Sequence, residues 1–111
     1  MSGCKLQENY AVQYGFSNEV ITETKFVITK DGVDMEIPFS DFSCDPKSFK
    51  AVLERRGNEF TMIIQGTETQ QRCNQKFSAE IRGISSGDYT IKVIYKKSGE
   101  EQEVLYRDFS I

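Results

Sequence analysis

The sequence predicts an all-β fold: a two-sheet antiparallel β-sandwich of seven or eight strands with Greek-key connections. Three observations carry this. Apolar and polar residues alternate with period two along much of the chain, as in Val33-Asp34-Met35-Glu36-Ile37 and Phe77-Ser78-Ala79-Glu80-Ile81. Turn residues break the alternation at short intervals, at Asp31-Gly32, Arg56-Gly57-Asn58-Glu59, Ser85-Ser86-Gly87-Asp88 and Lys97-Ser98-Gly99-Glu100. The runs between are rich in β-branched and aromatic residues, and 8 Phe and 5 Tyr supply bulk for a core. A chain of 111 residues is one domain of ordinary size. Residues 9–111 read as that domain and residues 1–8 as a flexible tether.

The elements follow in order. Tyr10 to Phe16 opens with Tyr10, Val12 and Tyr14 in alternation, and Gly15 to Asn18 reads as a turn. Glu19 to Thr29 is β-branched and reads as a strand. Lys30-Asp31-Gly32 predicts a tight hairpin, because Asp-Gly supplies the positive φ angles of a type I′ turn. The return strand sets Val33, Met35, Ile37 and Phe39 on one face. Pro38 cannot donate to a ladder, which places it at an edge or a bulge.

Asp45 to Gly57 supports two readings. As a helix it offers Asp45 as N-cap, Pro46 at the first position and Gly57 as terminator. As a strand it alternates Phe49, Ala51, Leu53 against Lys50, Val52, Glu54. A strand–turn–strand also accounts for Phe60-Thr61-Met62-Ile63-Ile64, so the hairpin is preferred. Thr67 to Gln75 is polar and reads as a loop, Lys76 to Arg82 as a strand. Glu103 to Ile111 closes the fold, with either Leu105 and Phe109 or Val104 and Tyr106 inward.

The stretch Ile84 to Tyr95 says most. An apolar anchor, Ile84, precedes the turn through Gly87, and Tyr89 opens a strand alternating Tyr89, Ile91, Val93, Tyr95. It resembles the tyrosine corner of immunoglobulin-like and fibronectin-type domains, in which such a Tyr bonds back to the corner's backbone. About half the chain, from Cys44 through Cys73 to Phe77–Val93, looks like small secreted or lipid-anchored immunoglobulin-like domains of bacteria and archaea. It departs from antibody domains: no Cys follows Tyr89 and the chain has no Trp. The resemblance implies an immunoglobulin-like fold and says little about role.

Three cysteines fit one internal bridge and one odd thiol. Cys44 and Cys73 flank the predicted hairpin in polar surroundings, so they are expected to pair; the alternative is two free thiols packed as small hydrophobes. The bridge would point to an oxidising compartment. Ser2, Gly3 and Cys4 resemble the end of a bacterial lipobox, which would make Cys4 a lipidation site; Met1 stands where Leu is usual. The alternative is a cytosolic protein that happens to begin this way.

Little here suggests catalysis. The chain has no His, which removes the commonest general base and any Ser-His or Cys-His pair. A net charge of −3 argues against nucleic acid as partner, and no phosphate-cradling Gly loop is present. Glu100, Glu101 and Glu103 read as a solvated hairpin tip, and Asp31/Asp34 and Asp41/Asp45 as turn or cap residues rather than calcium ligands. Arg55-Arg56 and Lys96-Lys97 read as solvated pairs. No catalytic, cofactor or metal residue is assigned. The expected function is a non-enzymatic cell-envelope or surface lipoprotein domain, outside the cytoplasm, that binds protein through loops or by strand addition at the Pro38-bearing edge and meets membrane only through Cys4. An inhibitor or immunity-type protein acting through the Thr67–Gln75 loop is one alternative, a structural spacer of a larger surface protein another.

Overall fold

The computed structural model describes residues 10–67, 69–97 and 100–111, without the side chains of Ser40, Asp41, Ser43 and Pro46. Cys4 and the rest of residues 1–8, expected to form a tether, lie outside the described residues. Eight strands form: β1 (Ala11–Ser17), β2 (Lys25–Ile28), β3 (Val33–Ser43), β4 (Lys50–Arg56), β5 (Glu59–Gln65), β6 (Arg72–Arg82), β7 (Asp88–Lys97) and β8 (Glu100–Ser110). They make two four-stranded sheets, ordered β1-β6-β3-β2 and β4-β5-β7-β8. The described residues contain one short 3-10 turn, Pro46–Ser48, and no helix long and apolar enough to cross a membrane.

The inward faces follow the alternation in the sequence. Val33, Met35, Ile37, Phe77, Ala79 and Ile81 from the first sheet meet Phe60, Met62, Ile64, Ile91, Val93, Leu105 and Phe109 from the second, all buried. Rings join the layers. Phe42 lies 4.5 Å from Phe49 and 5.1 Å from Tyr95 between centroids, and Phe26 lies 5.8 Å from Phe109. Burial of such side chains contributes about 1.5–3 kcal/mol each.

The 45–57 segment divides between its two readings. Asp45 and Pro46 do start a helical turn, with the Ser48 N–H and Oγ both donating to the Asp45 carbonyl. It stops after one turn, and β4 and β5 then pair as a hairpin from Lys50↔Gln65 to Arg56↔Glu59. Gly57, at φ 61°, supplies the left-handed residue of that two-residue connection. In β8, Leu105 and Phe109 point inward; Val104 is the extra residue at a bulge, since Val93 faces Leu105 and Ile94 faces Glu103.

Five expectations need correction. One strand pair, β5 with β7, is parallel. The chain leaves the second sheet after β5, crosses the first as β6 and returns as β7 in its former direction; a strand of the opposite sheet serves as the crossover. Gly15 lies inside β1, opposite Ser78, rather than in a turn. The strand expected from Glu19 shrinks to Lys25–Ile28, because Val20 has no core to face and is 64% exposed. The polar stretch Arg72–Gln75 is strand, held by β3 on both sides of its bulge. Gly32 does not adopt a left-handed φ. Four residues, 29–32, connect Ile28 to Val33, and Gly32 is needed for room: a Cβ there would fall on the Ile81 carbonyl.

Candidate functional site: the open lateral side

The two ends of the sandwich are tied differently. At one, Cys44 and Cys73 are joined, with Cα atoms 5.1 Å apart. The bridge follows the last β3–β6 pairs, Phe42↔Cys73 and Ser43↔Arg72, so it staples one sheet and closes around the β4–β5 hairpin. The next loop is held as well: Thr69 Oγ1 accepts from the Cys44 N–H at 3.0 Å and donates to the Gln71 carbonyl at 2.6 Å, and the Arg72 guanidinium donates to the Thr69 carbonyl.

At the other end stands the corner. The Tyr89 hydroxyl donates to the Ser85 carbonyl at 2.7 Å, and its ring is buried. Ile84 is buried and its N–H donates to the Asp31 carbonyl; the Gly83 N–H donates to the Asp31 carboxylate. Gly87 exchanges two backbone bonds with Ile111. Ile84, Gly87 and Tyr89 thus act together, and Asp31, read from sequence as a turn residue, joins them.

The remaining residues singled out in the sequence are spread over the surface. Glu100 and Glu101 lie in β8 opposite Lys97 and Lys96, with Lys96 Nζ 3.6 Å from Glu101. Ser98 and Gly99, the middle of that predicted turn, lie outside the described residues. Arg55 turns inward over Phe60 and Tyr89, 5.1 and 5.6 Å from their centroids, and donates to the Gly57 carbonyl. Pro38 lies past Glu36, the last β3 residue paired with β2, and just before the bulge. Two hollows open beside it: Val20, Ile21 and Thr22 face Pro38 and Phe39 across one, and Gln102, Glu103 and Val104 border the other. Gln75 is 2% exposed; its amide donates to Asn18 Oδ1 at 2.8 Å.

The least obstructed strand edges lie on one lateral side. β1 ends the first sheet and β4 the second. They lie on the same side: Phe16 of β1 meets Phe49, just before β4, at 5.9 Å, and Tyr10 meets Phe60 of β5 at 5.8 Å. Among the described residues β1 pairs only with β6 and β4 only with β5. β1 carries no charged residue in seven, whereas β2, β4 and β8 all do. Tyr14, mid-β1, is 41% exposed. Sequence reading missed this edge because strand order, and hence which strand is last, is not written in local pattern.

Comparison with known proteins adds no relative: no protein-family profile, curated protein or solved structure matches this chain. Among the described residues no group of three or more His, Cys, Asp or Glu gathers as for a metal ion.

Proposed function

We propose that this protein is an immunoglobulin-like, non-enzymatic binding module working outside the cytoplasm, attached to membrane through a lipid on Cys4, and that it takes a partner protein by strand addition on the β1/β4 side. One observation carries the reading: β1 is a seven-residue outer strand without charge, Pro or bulge, the features that normally discourage a further strand. The Cys44–Cys73 bridge is compatible with an oxidising compartment. The β1 edge replaces the Pro38 stretch as docking strand, because β3 is an inner strand of its sheet while β1 is an outer one, and Pro38 has no N–H to offer.

A photo-crosslinking residue at Gln13 tests the docking. In intact cells it is expected to give a discrete adduct with an envelope protein, lost on Tyr14→Lys, while the same probe at Val27 in β2 gives none. Equal labelling from both positions would overturn the reading.

A second reading has its own support. The loop at residues 66–71 is held by Thr69 and by the neighbouring bridge, as an enzyme-blocking loop would need. Gln71→Ala would then abolish inhibition of a target enzyme and leave crosslinking at Gln13 intact.

A further inference from the structure

The outer face of the second sheet carries an aliphatic row. Val52 of β4 faces Ile63 of β5, which faces Ile94 of β7. The row ends in the open at Val52, 51% exposed. Lys50 and Glu54 flank Val52 on the same face, both exposed, and the ion pairs of the described residues include neither. Arg55, which would otherwise bar the edge, is folded over Phe60 and Tyr89.

We infer that a second copy of this chain occupies the β4 edge, pairing β4 with β4 antiparallel about a two-fold axis through Val52. The inference rests on the strand-addition reading above. A two-fold axis perpendicular to a sheet sets each residue opposite one of the same face. Centred on Val52, it places Lys50 opposite Glu54 of the second copy, Glu54 opposite its Lys50, and Val52 opposite Val52. On the inner face Ala51 meets Leu53. Every one of these pairs is either apolar or oppositely charged. The aliphatic row becomes six side chains long, from Ile94 of one copy to Ile94 of the other.

Charge selects the occupant. Lys50 and Glu54 favour a strand that sets Glu and Lys opposite them in the reverse order, and an antiparallel β4 does so. One strand pair buries on the order of 1,000 Å² or less, the low end for specific interfaces, so the dimer is expected to be weak and concentration-dependent.

Charge reversal tests this in sedimentation equilibrium on the disulfide-bonded chain. The wild type is expected to dimerise reversibly. Lys50→Glu and Glu54→Lys, each alone, set like charges opposite one another at both ends of the pair and weaken dimerisation by about tenfold or more. Mixing the two variants restores a heterodimer, and the double variant K50E/E54K restores the homodimer. Unchanged melting temperatures show that both variants fold. A monomer at all concentrations, or dimerisation indifferent to both reversals, overturns the inference. If the monomer still crosslinks through Gln13, only the second copy is ruled out; if that adduct is absent too, strand addition fails with it.

Discussion

The two ends of the sandwich are held by different means. Near Arg72 the end of β6 is fastened to β3 by one covalent bond. Near Arg82 the ties are hydrogen bonds among the converging segments: Gly83 and Ile84, just after β6, donate to Asp31, Tyr89 donates to Ser85, Gly87 and Ile111 exchange two bonds, and Thr90 donates to Asn58. At the covalent end β3 is bulged and β2 no longer flanks it, so the bridge reinforces the last two β3–β6 pairs, Phe42↔Cys73 and Ser43↔Arg72. At the corner end, three connections and the C-terminal strand converge, and their backbone groups satisfy one another. Such convergence leaves few buried N–H or C=O groups without partners. The covalent end therefore depends on redox conditions and the corner end does not.

Breaking the covalent end should have the largest effect. Replacing both Cys44 and Cys73 with Ala removes a cross-link around a loop of about 30 residues and should cost about 3–4 kcal/mol, on the order of 15 °C in melting temperature. Thermal unfolding with and without reductant checks this. The corner end should hold longer in the reduced protein, with amide exchange at Ile84 slower than at Cys73.

Gly32→Ala attacks the corner end through packing. The new Cβ meets the Ile81 carbonyl, so β3 must move from β6, at about 2–3 kcal/mol by urea unfolding. Tyr89→Phe keeps the ring and leaves the Ser85 carbonyl without its donor, costing about 1–2 kcal/mol. A loss under a few tenths would show that the ring alone makes the corner.

The smallest effect concerns Glu19 and Lys76, 2.9 Å apart on the first sheet's surface. The hydrogen bond and charge of Lys76 hold the Glu19 carboxyl below its usual 4.5, and Glu19 raises Lys76 above its usual 10.5. The Glu19 contribution is therefore complete above pH 4.5 and fades as pH falls through the lowered value. Lys76 contributes fully below pH 10.5 and less as pH rises through its raised value. Melting curves of the wild type should drop slightly more than those of Glu19→Gln below pH 4.5, and high salt should erase the difference.

The same contrast explains how much was legible beforehand. The corner is local: Tyr89 and its acceptor are four residues apart, so a short window contains both. The β4–β5 hairpin was legible because Phe49, Ala51 and Leu53 alternate up to Gly57. Arg72–Gln75 was not, because that polar stretch is strand only through its partner β3 and the bridge. Val20 and Ile21 misled in the opposite sense, being β-branched where no neighbour calls for a strand. Gly32 has the turn propensity of any Asp-Gly pair, while its reason lies 49 residues away in the Ile81 backbone. The candidate docking side was the least legible, since an edge is defined by what does not pair with it.

The Cys44–Cys73 bridge, and with it the proposed export, stands or falls on the state of these two thiols in the cell. Intact mass after thiol alkylation, with and without prior reduction, tests it on protein taken from its native compartment. Cys44 and Cys73 are expected to take no label before reduction and both to be labelled after it. Full labelling of both without reduction would contradict the bridge and move the search for a partner inside the cell.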